Sequence, residues 1–404
     1  MQQAVMYGGG NIGRGFIGAT FSQAGYAVTF VDVAQPVVQA LQEKNTYPVR
    51  YVSNAGHKDV WIQNVTAVNG NNTEEVARCI ADCDIMATAV GVRVLPWIVP
   101  NIVAGLRLRW AEQKAPLNII ICENLMNANH VLEGMIKEKL TEEECALFDK
   151  TVGLVEASIG RMVPVQTEQM KDGEPLRVCV EEYGFLPVDK DAFKGEIPPI
   201  SNLVPYSPFD FYLKRKLYIH NMGHATCAYL GDILGLDYIY QSIDVADVYL
   251  LVKNAMLESA QALSAQYDAP MKPLMDHIDD LLSRFTNAAL GDTCQRVGGD
   301  PARKLSPEDR LIGAGKLALQ QGITPCYIAV GAAAGVRRYL AVNSKEQTVE
   351  NAEQVLQEVS GLDSKDVLAQ MILANYQLLL DGTDMAQLRR AAACIKADSL
   401  KNTI

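Results

Sequence analysis

In the first half of the chain, short apolar runs alternate with segments of helical spacing. Apolar runs of about four to eight residues bounded by turn residues predict buried strands, and apolar residues at i, i+3 and i+4 predict helices. The strands are predicted at residues 4–7, 27–31, 51–68 (two short strands), 84–89, 118–122, 152–157, 176–181 and 185–188, and the helices at residues 74–81, 94–113 and from residue 11 onward. Such alternation predicts an α/β fold with a doubly wound parallel sheet.

After Pro208 the pattern becomes almost wholly helical. Helices are predicted at residues 209–230, 245–267, 270–285, 307–320, 328–339, 346–359 and 365–380. Residues 190–208 hold four prolines and are predicted to form a linker. The chain therefore divides into a predicted nucleotide-binding domain, residues 1–200, and a mostly α-helical substrate domain, residues 201–404. The last roughly 20 residues have few periodic apolar positions and are expected to fray.

A glycine-rich turn follows the first predicted strand. Gly8, Gly10 and Gly13 satisfy G-x-G-x-x-G, and Asp32 ends the second strand 19 positions after Gly13. Such glycines let backbone N–H groups approach a pyrophosphate, whose charge the following helix N-terminus favours. Asp32 can accept hydrogen bonds from ribose hydroxyls and would repel a 2′-phosphate, so a Rossmann-type site for NAD is predicted. The predicted cofactor-binding residues are Gly8, Gly9, Gly10, Asn11, Ile12, Gly13, Asp32 and Val90.

Three polar residues interrupt the apolar pattern of the predicted helix at residues 209–230: Lys216, Asn221 and His224. At about 100° per residue they fan over an arc of roughly 140° and can face one cleft. Desolvation lowers the pKa of a lysine, so Lys216 can accept a proton from an alcohol. The amide and the imidazole can hold the oxygen on which charge develops. The alternative is a solvated lysine beside Lys214 and a histidine of the core.

Asn124 follows the buried strand predicted at residues 118–122. The carboxyl ends of the strands of a doubly wound sheet face the ligand crevice. Asn124 is therefore a candidate site residue, and the alternative is that it only turns the chain from strand to helix.

Basic residues precede another predicted helix start. Arg303 and Lys304, with Arg310 nearby, lie beside Ser306 as a predicted N-cap and Pro307 as the first helical residue. Cations beside a helix N-terminus form an anion site, such as one for a sugar phosphate. The alternative is a solvated loop with salt bridges.

Composition narrows the function classes. At 404 residues, 49% hydrophobic and 21% charged, the chain has the length and balance of a soluble enzyme of about two domains. A net charge of −11 argues against a nucleic-acid partner. Nine cysteines without a CxxC pair indicate free thiols in a reducing compartment. With neither a signal peptide nor an apolar run of ~20 residues, a cytoplasmic protein without membrane contact is expected.

Several segments carry a family resemblance: TAVG (88–91), PLNIIICEN (116–124), VDKDAFKG (188–195), KRKLYIHNMGHA (214–225) and PARKLSPEDRLI (301–312). With the glycine turn, Asp32 and the Lys-x4-Asn-x2-His spacing, the chain resembles the polyol-specific long-chain dehydrogenases over nearly its whole length. One departure is Gly160, in Ile159-Gly160-Arg161, where the family usually has an aspartate before the arginine. That departure leaves the identity of the polyol open.

The resemblance implies a metal-free, NAD-linked oxidation of a secondary alcohol of a polyol or polyol phosphate, with mannitol 1-phosphate and fructose 6-phosphate favoured as the pair. Lys216 matches the general base, Asn221 and Asn124 match the amides that hold the oxyanion, and His224 matches the residue that orients substrate hydroxyls. Arg303 and Lys304 are then candidates for the phosphate. The resemblance also implies a monomer.

Three alternatives remain at this stage. Another polyol or a sugar acid could be the substrate. A zinc hydrolase is possible because His220 and His224 stand four positions apart, although Asn221 replaces the glutamate of H-E-x-x-H. A non-catalytic NAD-binding regulator is possible because of Gly160.

Overall fold

The computed structural model describes residues 1–125 and 127–401, with side chains up to residue 399. The chain divides into two compact units, Met1–Tyr212 and Leu213–Ile404. Among the described residues, no helix combines the length and the apolar character that crossing a membrane requires.

A six-stranded parallel sheet forms the centre of the first unit. Its strands in chain order are β1 (Gln3–Tyr7), β2 (Ala27–Asp32), β5 (Val65–Asn69), β6 (Ile85–Thr88), β7 (Leu117–Ile121) and β8 (Val152–Glu156). They lie side by side in the order β5-β2-β1-β6-β7-β8, and every pairing is parallel. The predicted doubly wound sheet is confirmed, with its topological switch point between β1 and β6.

The sheet is apolar on both faces because helices cover both. Successive strand residues point to opposite faces, so Ala4 and Met6 of β1 join one hydrophobic core while Val5 and Tyr7 join the other. All four are buried. This two-sided burial explains why the strands appear in the sequence as continuous apolar runs rather than alternating ones.

Two small sheets complete the first unit. One contains β3 (Tyr47–Ser53) and β4 (Gly56–Ile62), an antiparallel hairpin, together with β9 (Val178–Val180). The other pairs β10 (Leu186–Asp189) in parallel with β11 (Leu203–Tyr206).

β11 corrects the prediction of a linker over residues 190–208. An edge strand tolerates a proline, and Pro205 lies within β11. The pairing of β11 with β10 draws this segment into the first unit. The observed division therefore falls after Tyr212 rather than after residue 200.

The helices of the first unit are α1 (Ala19–Gln23), α2 (Gln35–Lys44), α3 (Thr73–Asp82), α4 (Leu95–Ala111), α5 (Ala128–Lys137), α6 (Glu142–Thr151) and α7 (Glu168–Lys171). A π-helical segment, Gly13–Gly18, leads into α1, and a 3₁₀ turn, Val92–Val94, leads into α4. The helix α8 (Asp210–Arg215) spans the division between the two units.

The second unit is helical, as predicted. Its helices are α9 (Met222–Ile233), α10 (Ile239–Asp244), α11 (Ala246–Tyr267), α12 (Met271–Phe285), α13 (Cys294–Val297), α14 (Pro301–Lys304), α15 (Ile312–Gln320), α16 (Cys326–Val342), α17 (Val349–Glu358), α18 (Val367–Leu380) and α19 (Met385–Lys401). A π-helical segment, Lys216–Asn221, joins α8 to α9, and a 3₁₀ turn, Ala288–Leu290, follows α12.

The helix α19 shows that the predicted fraying of the C-terminus is wrong for residues 385–401, and residues 402–404 lie outside the described part of the chain. Met385 and Leu388 are buried. Arg389 Nε lies 2.6 Å from Asp247 Oδ1, and Lys396 Nζ donates to Thr324 O at 3.0 Å. The few apolar positions of this segment are sufficient because polar side chains also attach it to other helices.

A buried carboxylate joins three helices of the second unit. Glu258 of α11 is 2% exposed, and its Oε2 accepts the backbone N–H groups of Tyr327 and Ile328 at 3.0 Å each, at the start of α16. Its Oε1 lies 3.5 Å from Lys396 Nζ of α19. Burial raises the pKa of the Glu258 carboxyl from 4.5 to about 7, although Lys396 and the two amides act in the opposite direction.

This raised pKa predicts a dependence of stability on pH. The contribution of Glu258 is fully present below pH 4.5, where folded and unfolded chains are both protonated, and is lost as the pH rises through about 7. The Glu258→Gln variant should lack this dependence. As the pH rises from 4.5 to about 7, its free energy of unfolding should therefore increase by about 1–3 kcal/mol relative to that of the wild type. Melting curves from pH 5 to 8 measure the gain, with exposed Glu353→Gln as the control. Parallel pH profiles of wild type and Glu258→Gln would contradict the prediction.

Candidate active site

The glycine turn after β1 has the shape that a pyrophosphate requires. Gly8 has a φ of +104°, which favours glycine. A methyl group on Gly13 would stand 1.9 Å from Gly8 O, so the helix start and the strand end approach each other too closely for any side chain. Gly10 is exposed, and a methyl group there would meet nothing within 4 Å, which leaves its backbone open to a ligand. Asn11 and Ile12 begin the helix.

Asp32 lies beside this turn at the carboxyl end of β2. Its Oδ2 accepts the backbone N–H of Gly9 at 2.6 Å, and its Oδ1 accepts that of Ala34 at 2.8 Å. A carboxylate has about four acceptor positions. About two therefore remain for the hydroxyls of a ribose, and the structure brings together the residues predicted to bind the adenosine half of a dinucleotide.

The ends of β6 and β7 place the remaining predicted residues of the first unit. Val90 is half-buried after β6, and its backbone N–H donates to Glu123 Oε1 at 2.9 Å. Asn124 is exposed in the loop after β7, and its neighbour Met126 lies outside the described residues. The sequence interpretation missed Glu123. Its position in the sequence indicates a place in the site, because a charged residue directly after the buried run Asn118–Cys122 lies at the crevice end of a strand.

In the second unit, the predicted continuous α-helix over residues 209–230 is wrong at its centre. Residues Lys216–Asn221 form a π-helical segment between α8 and α9. A π segment has a wider turn than an α-helix, so the 100° spacing and the 140° arc do not apply across it. Lys216 begins the segment and Asn221 ends it, and both are half-buried. Single π turns inside helices occur frequently at functional sites.

His224 lies one turn further along, in α9. Its ring stacks on Phe285 at 4.7 Å between centroids with a 17° interplanar angle. Burial lowers the pKa of His224 to about 3, and the charges of Arg296, Arg310, Arg284 and Lys304 lower it further. The imidazole is therefore neutral near pH 7.

The Nε2 atom of this imidazole is buried without a hydrogen-bond partner among the described residues. It lies 3.6 Å from Asp292 Oδ2. A neutral imidazole with an unpartnered buried nitrogen can orient a substrate hydroxyl, because leaving such an atom unpaired costs free energy.

The cations that act on His224 form a basic cluster that also contains one predicted phosphate residue. Lys304 is buried, and its Nζ donates to Gly299 O. Burial first, then the charges of Arg310 and Arg303, lower the pKa of Lys304 to about 8. Arg303 is about half exposed, and its Nε lies 2.9 Å from Asp300 Oδ2.

The predicted helix start beside this cluster is wrong. The helix α15 begins at Ile312, so Ser306 is not its N-cap and Pro307 is not its first helical residue. The residues between α14 and α15 form turns with Leu305 and Leu311 fully buried. Burial of these two leucines overrides the local capping signal. The cations, rather than a helix N-terminus, provide the positive charge here.

His220 and His224 are the two residues of the alternative zinc site. Their ring centroids are 6.1 Å apart, and burial lowers the pKa of His220 well below its usual value. A zinc site needs at least three protein ligands. In the part of the chain that the structure describes, no three His, Cys, Asp or Glu side chains are grouped so that they could hold a metal ion.

Gly160 packs closely against an aromatic ring. A methyl group on it would stand 3.0 Å from Tyr183 Cε1. The neighbouring Arg161 lies over the ring of Phe16 at 4.2 Å and donates to Gly15 O at 2.8 Å. The loop with the missing carboxylate is therefore fastened to the helix that follows the glycine turn.

Comparisons with known proteins give the same family for both units. The family model for the mannitol dehydrogenase Rossmann domain matches residues 2–202, and that for the mannitol dehydrogenase C-terminal domain matches residues 209–391. A mannitol-1-phosphate 5-dehydrogenase of Bacillus subtilis is 36% identical over 92% of this chain and 98% of that protein. One of Shouchella clausii is 38% identical over 80% of this chain and 85% of that protein.

Solved structures agree on the fold. A substrate-free D-sorbitol dehydrogenase has a TM-score of 0.81 at 14% identity and covers 95% of this chain and 94% of its own. The ternary complex of Pseudomonas fluorescens mannitol 2-dehydrogenase with NAD and D-mannitol has a TM-score of 0.75 at 14% identity, covering 96% and 94%.

The contacts of Asp32 predict the nucleotide preference. Asp32→Ala should weaken NAD binding by roughly 10- to 150-fold, since a charge-assisted hydrogen bond contributes about 1.5–3 kcal/mol, and should narrow the preference for NAD over NADP. Fluorescence titration with both nucleotides measures this. Asp84→Ala is the matched control, because Asp84 also accepts a backbone N–H, that of Gln3, but at the opposite end of the sheet. Equal affinities of the unmodified protein for NAD and NADP would refute the assignment.

Proposed function

The chain belongs to the mannitol dehydrogenase family, and from this premise we propose that it interconverts mannitol 1-phosphate and fructose 6-phosphate with NAD as the hydride acceptor. It is an NAD-dependent polyol dehydrogenase. The observation that carries the proposal is the match of both family domains along one chain, together with relatives at 32–38% identity that are named mannitol-1-phosphate 5-dehydrogenase.

The cofactor is NAD. We propose that its pyrophosphate binds at the turn of Gly8, Gly9, Gly10 and Gly13 and its adenosine ribose at Asp32, which is supported by the open backbone of Gly10 and the remaining acceptor positions of Asp32. Asn11, Ile12 and Val90 complete the proposed cofactor contacts. When bound, NAD takes the hydride from the carbon that is oxidised. The chain itself must then bind the alcohol, remove its hydroxyl proton and stabilise the oxygen.

We propose that Lys216 is the general base that removes the hydroxyl proton of the substrate. Its Nζ would accept the hydroxyl proton as the C–H hydride leaves, so that the alcohol becomes a ketone without a free alkoxide. Asn221 and Asn124 would donate hydrogen bonds to the oxygen while it carries negative charge. His224, neutral because its pKa is lowered to about 3, would orient a neighbouring hydroxyl through Nε2.

Arg303 and Lys304 are the proposed contacts of the substrate phosphate. The cluster around Lys304 supports this proposal, because Arg310, Arg296 and Arg284 act on the same buried histidine. Arginine and lysine are the side chains that bind phosphate most strongly. The net charge of −11 makes such a local cluster necessary for an anionic substrate.

For the whole molecule, we propose a cytoplasmic monomer that binds neither nucleic acid nor membranes. The acidic charge balance supports the absence of a nucleic-acid partner. Size-exclusion chromatography with light scattering tests the monomer.

The test of the function is a panel of polyols offered with and without a terminal phosphate, with NADH formation measured by absorbance. Mannitol 1-phosphate should give the highest kcat/KM. A higher value for unphosphorylated mannitol, arabinitol or a sugar acid would assign a different substrate, and NAD binding without turnover of any of them would indicate a regulator.

The proposed role of Lys216 gives a first prediction. Lys216→Ala should lower kcat by about 10²–10⁴, the range for general-base catalysis, with NAD affinity nearly unchanged. Stopped-flow and steady-state rates measure this loss. Lys214→Ala is the matched control, since Lys214 Nζ lies over the ring of Tyr267 at 5.6 Å and has no proposed role in the reaction. Similar, mild effects of the two substitutions would show that another group is the base.

The phosphate assignment gives a second prediction. Arg303→Ala and Lys304→Ala should each raise KM for the polyol phosphate roughly tenfold, through loss of a charge-assisted contact, and leave KM for the unphosphorylated polyol nearly unchanged. Because the pKa of Lys304 is about 8, the preference for the phosphorylated substrate should fall above that pH and stay flatter in Lys304→Ala. Equal changes for both substrates would identify the two residues as structural.

A further inference from the structure

Glu123 occupies an unusual position at the carboxyl ends of β6 and β7. It is only 8% exposed. Its Oε1 accepts the backbone N–H of Val90 at 2.9 Å, and its Oε2 accepts that of Gly91 at 2.8 Å. Both oxygens act as acceptors, as those of an ionised carboxylate do. One buried side chain thus fixes two consecutive amides of the loop after β6.

The backbone of that loop is shaped to make this contact. Gly91 has a φ of +90°, in the region that favours glycine, and it begins the 3₁₀ turn Val92–Val94. With this conformation, the N–H groups of residues 90 and 91 both reach the same carboxylate. Glu123 also directly precedes Asn124, so its anchoring fixes the start of the loop that carries this proposed amide donor.

The strand order of the sheet indicates which half of the cofactor lies near Glu123. A dinucleotide lies across the switch point of a doubly wound sheet, with one nucleotide over each half. The switch point is between β1 and β6, and Asp32, proposed to hold the adenosine ribose, ends β2 on one side. The nicotinamide nucleotide then belongs to the other side, where β6 and β7 end beside Glu123.

We propose that Glu123 is a positioning residue for the nicotinamide half of the NAD site, and that its negative charge raises the affinity of the protein for NAD⁺ relative to its affinity for NADH. This inference rests on the proposed function. The nicotinamide ring carries a positive charge in NAD⁺ and none in NADH. A buried carboxylate near the ring attracts the oxidised form because Coulomb interactions are only weakly screened away from water. The hydrogen bonds from the Val90 and Gly91 N–H groups hold the carboxylate in place at this end of the sheet.

The test compares dissociation constants of NAD⁺ and NADH for wild type, Glu123→Gln and Glu123→Asp. Glutamine removes the charge and offers one acceptor oxygen for two N–H groups. It should weaken NAD⁺ binding at least fivefold more than NADH binding. Aspartate keeps the charge but is shorter, so both affinities should fall while their ratio stays near that of the wild type. Calorimetry gives both constants, and circular dichroism confirms that each variant is folded.

Glu156→Gln is the matched control. Glu156 is a second buried carboxylate, 7% exposed at the end of the neighbouring strand β8, and it accepts the backbone N–H groups of Ala128 and Asn129. Its loss should leave the ratio of NAD⁺ to NADH affinity unchanged. If Glu123→Gln keeps the wild-type ratio, the inference is overturned while the proposed function stands. If the wild type binds neither nucleotide, the proposed function itself fails.

Discussion

Hydrogen bonds at the carboxyl end of β1 determine the arrangement of the nucleotide-binding half. Gly8 N donates to Val31 O of β2, and Ala89 N, just after β6, donates to Tyr7 O, each at 2.8 Å. The glycine turn is therefore tied to both neighbouring strands at the point where their order reverses. Asp32 on one side and the Val90–Gly91 loop on the other keep their positions relative to the turn because a one-residue slip of β1 would move the side chains of each face into the opposite core, where they would not pack.

The sequence predicted most of this half, because its signals are local and redundant. Each strand of the large sheet is a continuous apolar run, and the glycines and Asp32 have the spacing that a dinucleotide requires. The sequence indicates the position of Glu123 at a strand end but not its role, because that role depends on a partner loop more than 30 positions earlier in the chain. No periodicity or motif spacing contains that pairing, which arises only when β6 and β7 lie side by side.

The helical half was predicted less fully, for related reasons. Helical spacing located its elements, but it could not distinguish an α-helix from one with the π segment Lys216–Asn221, since the same residues fit both. The capping signal at Ser306 was real in composition but was overridden by the burial of Leu305 and Leu311. The attachment of α19 depends on ion pairs and hydrogen bonds to distant helices, which a local pattern does not show.

The close contact of Gly160 with Tyr183 restricts how this protein can evolve. Any side chain at residue 160 meets the ring of Tyr183, so the effect of a substitution there depends on which residue occupies position 183. This contact predicts that substitutions at the two positions are coupled. An aspartate at residue 160 requires the ring of Tyr183 to shift by a few tenths of an ångström, and a smaller residue at 183 removes that requirement. Libraries that aim to alter polyol selectivity should therefore vary both positions at once.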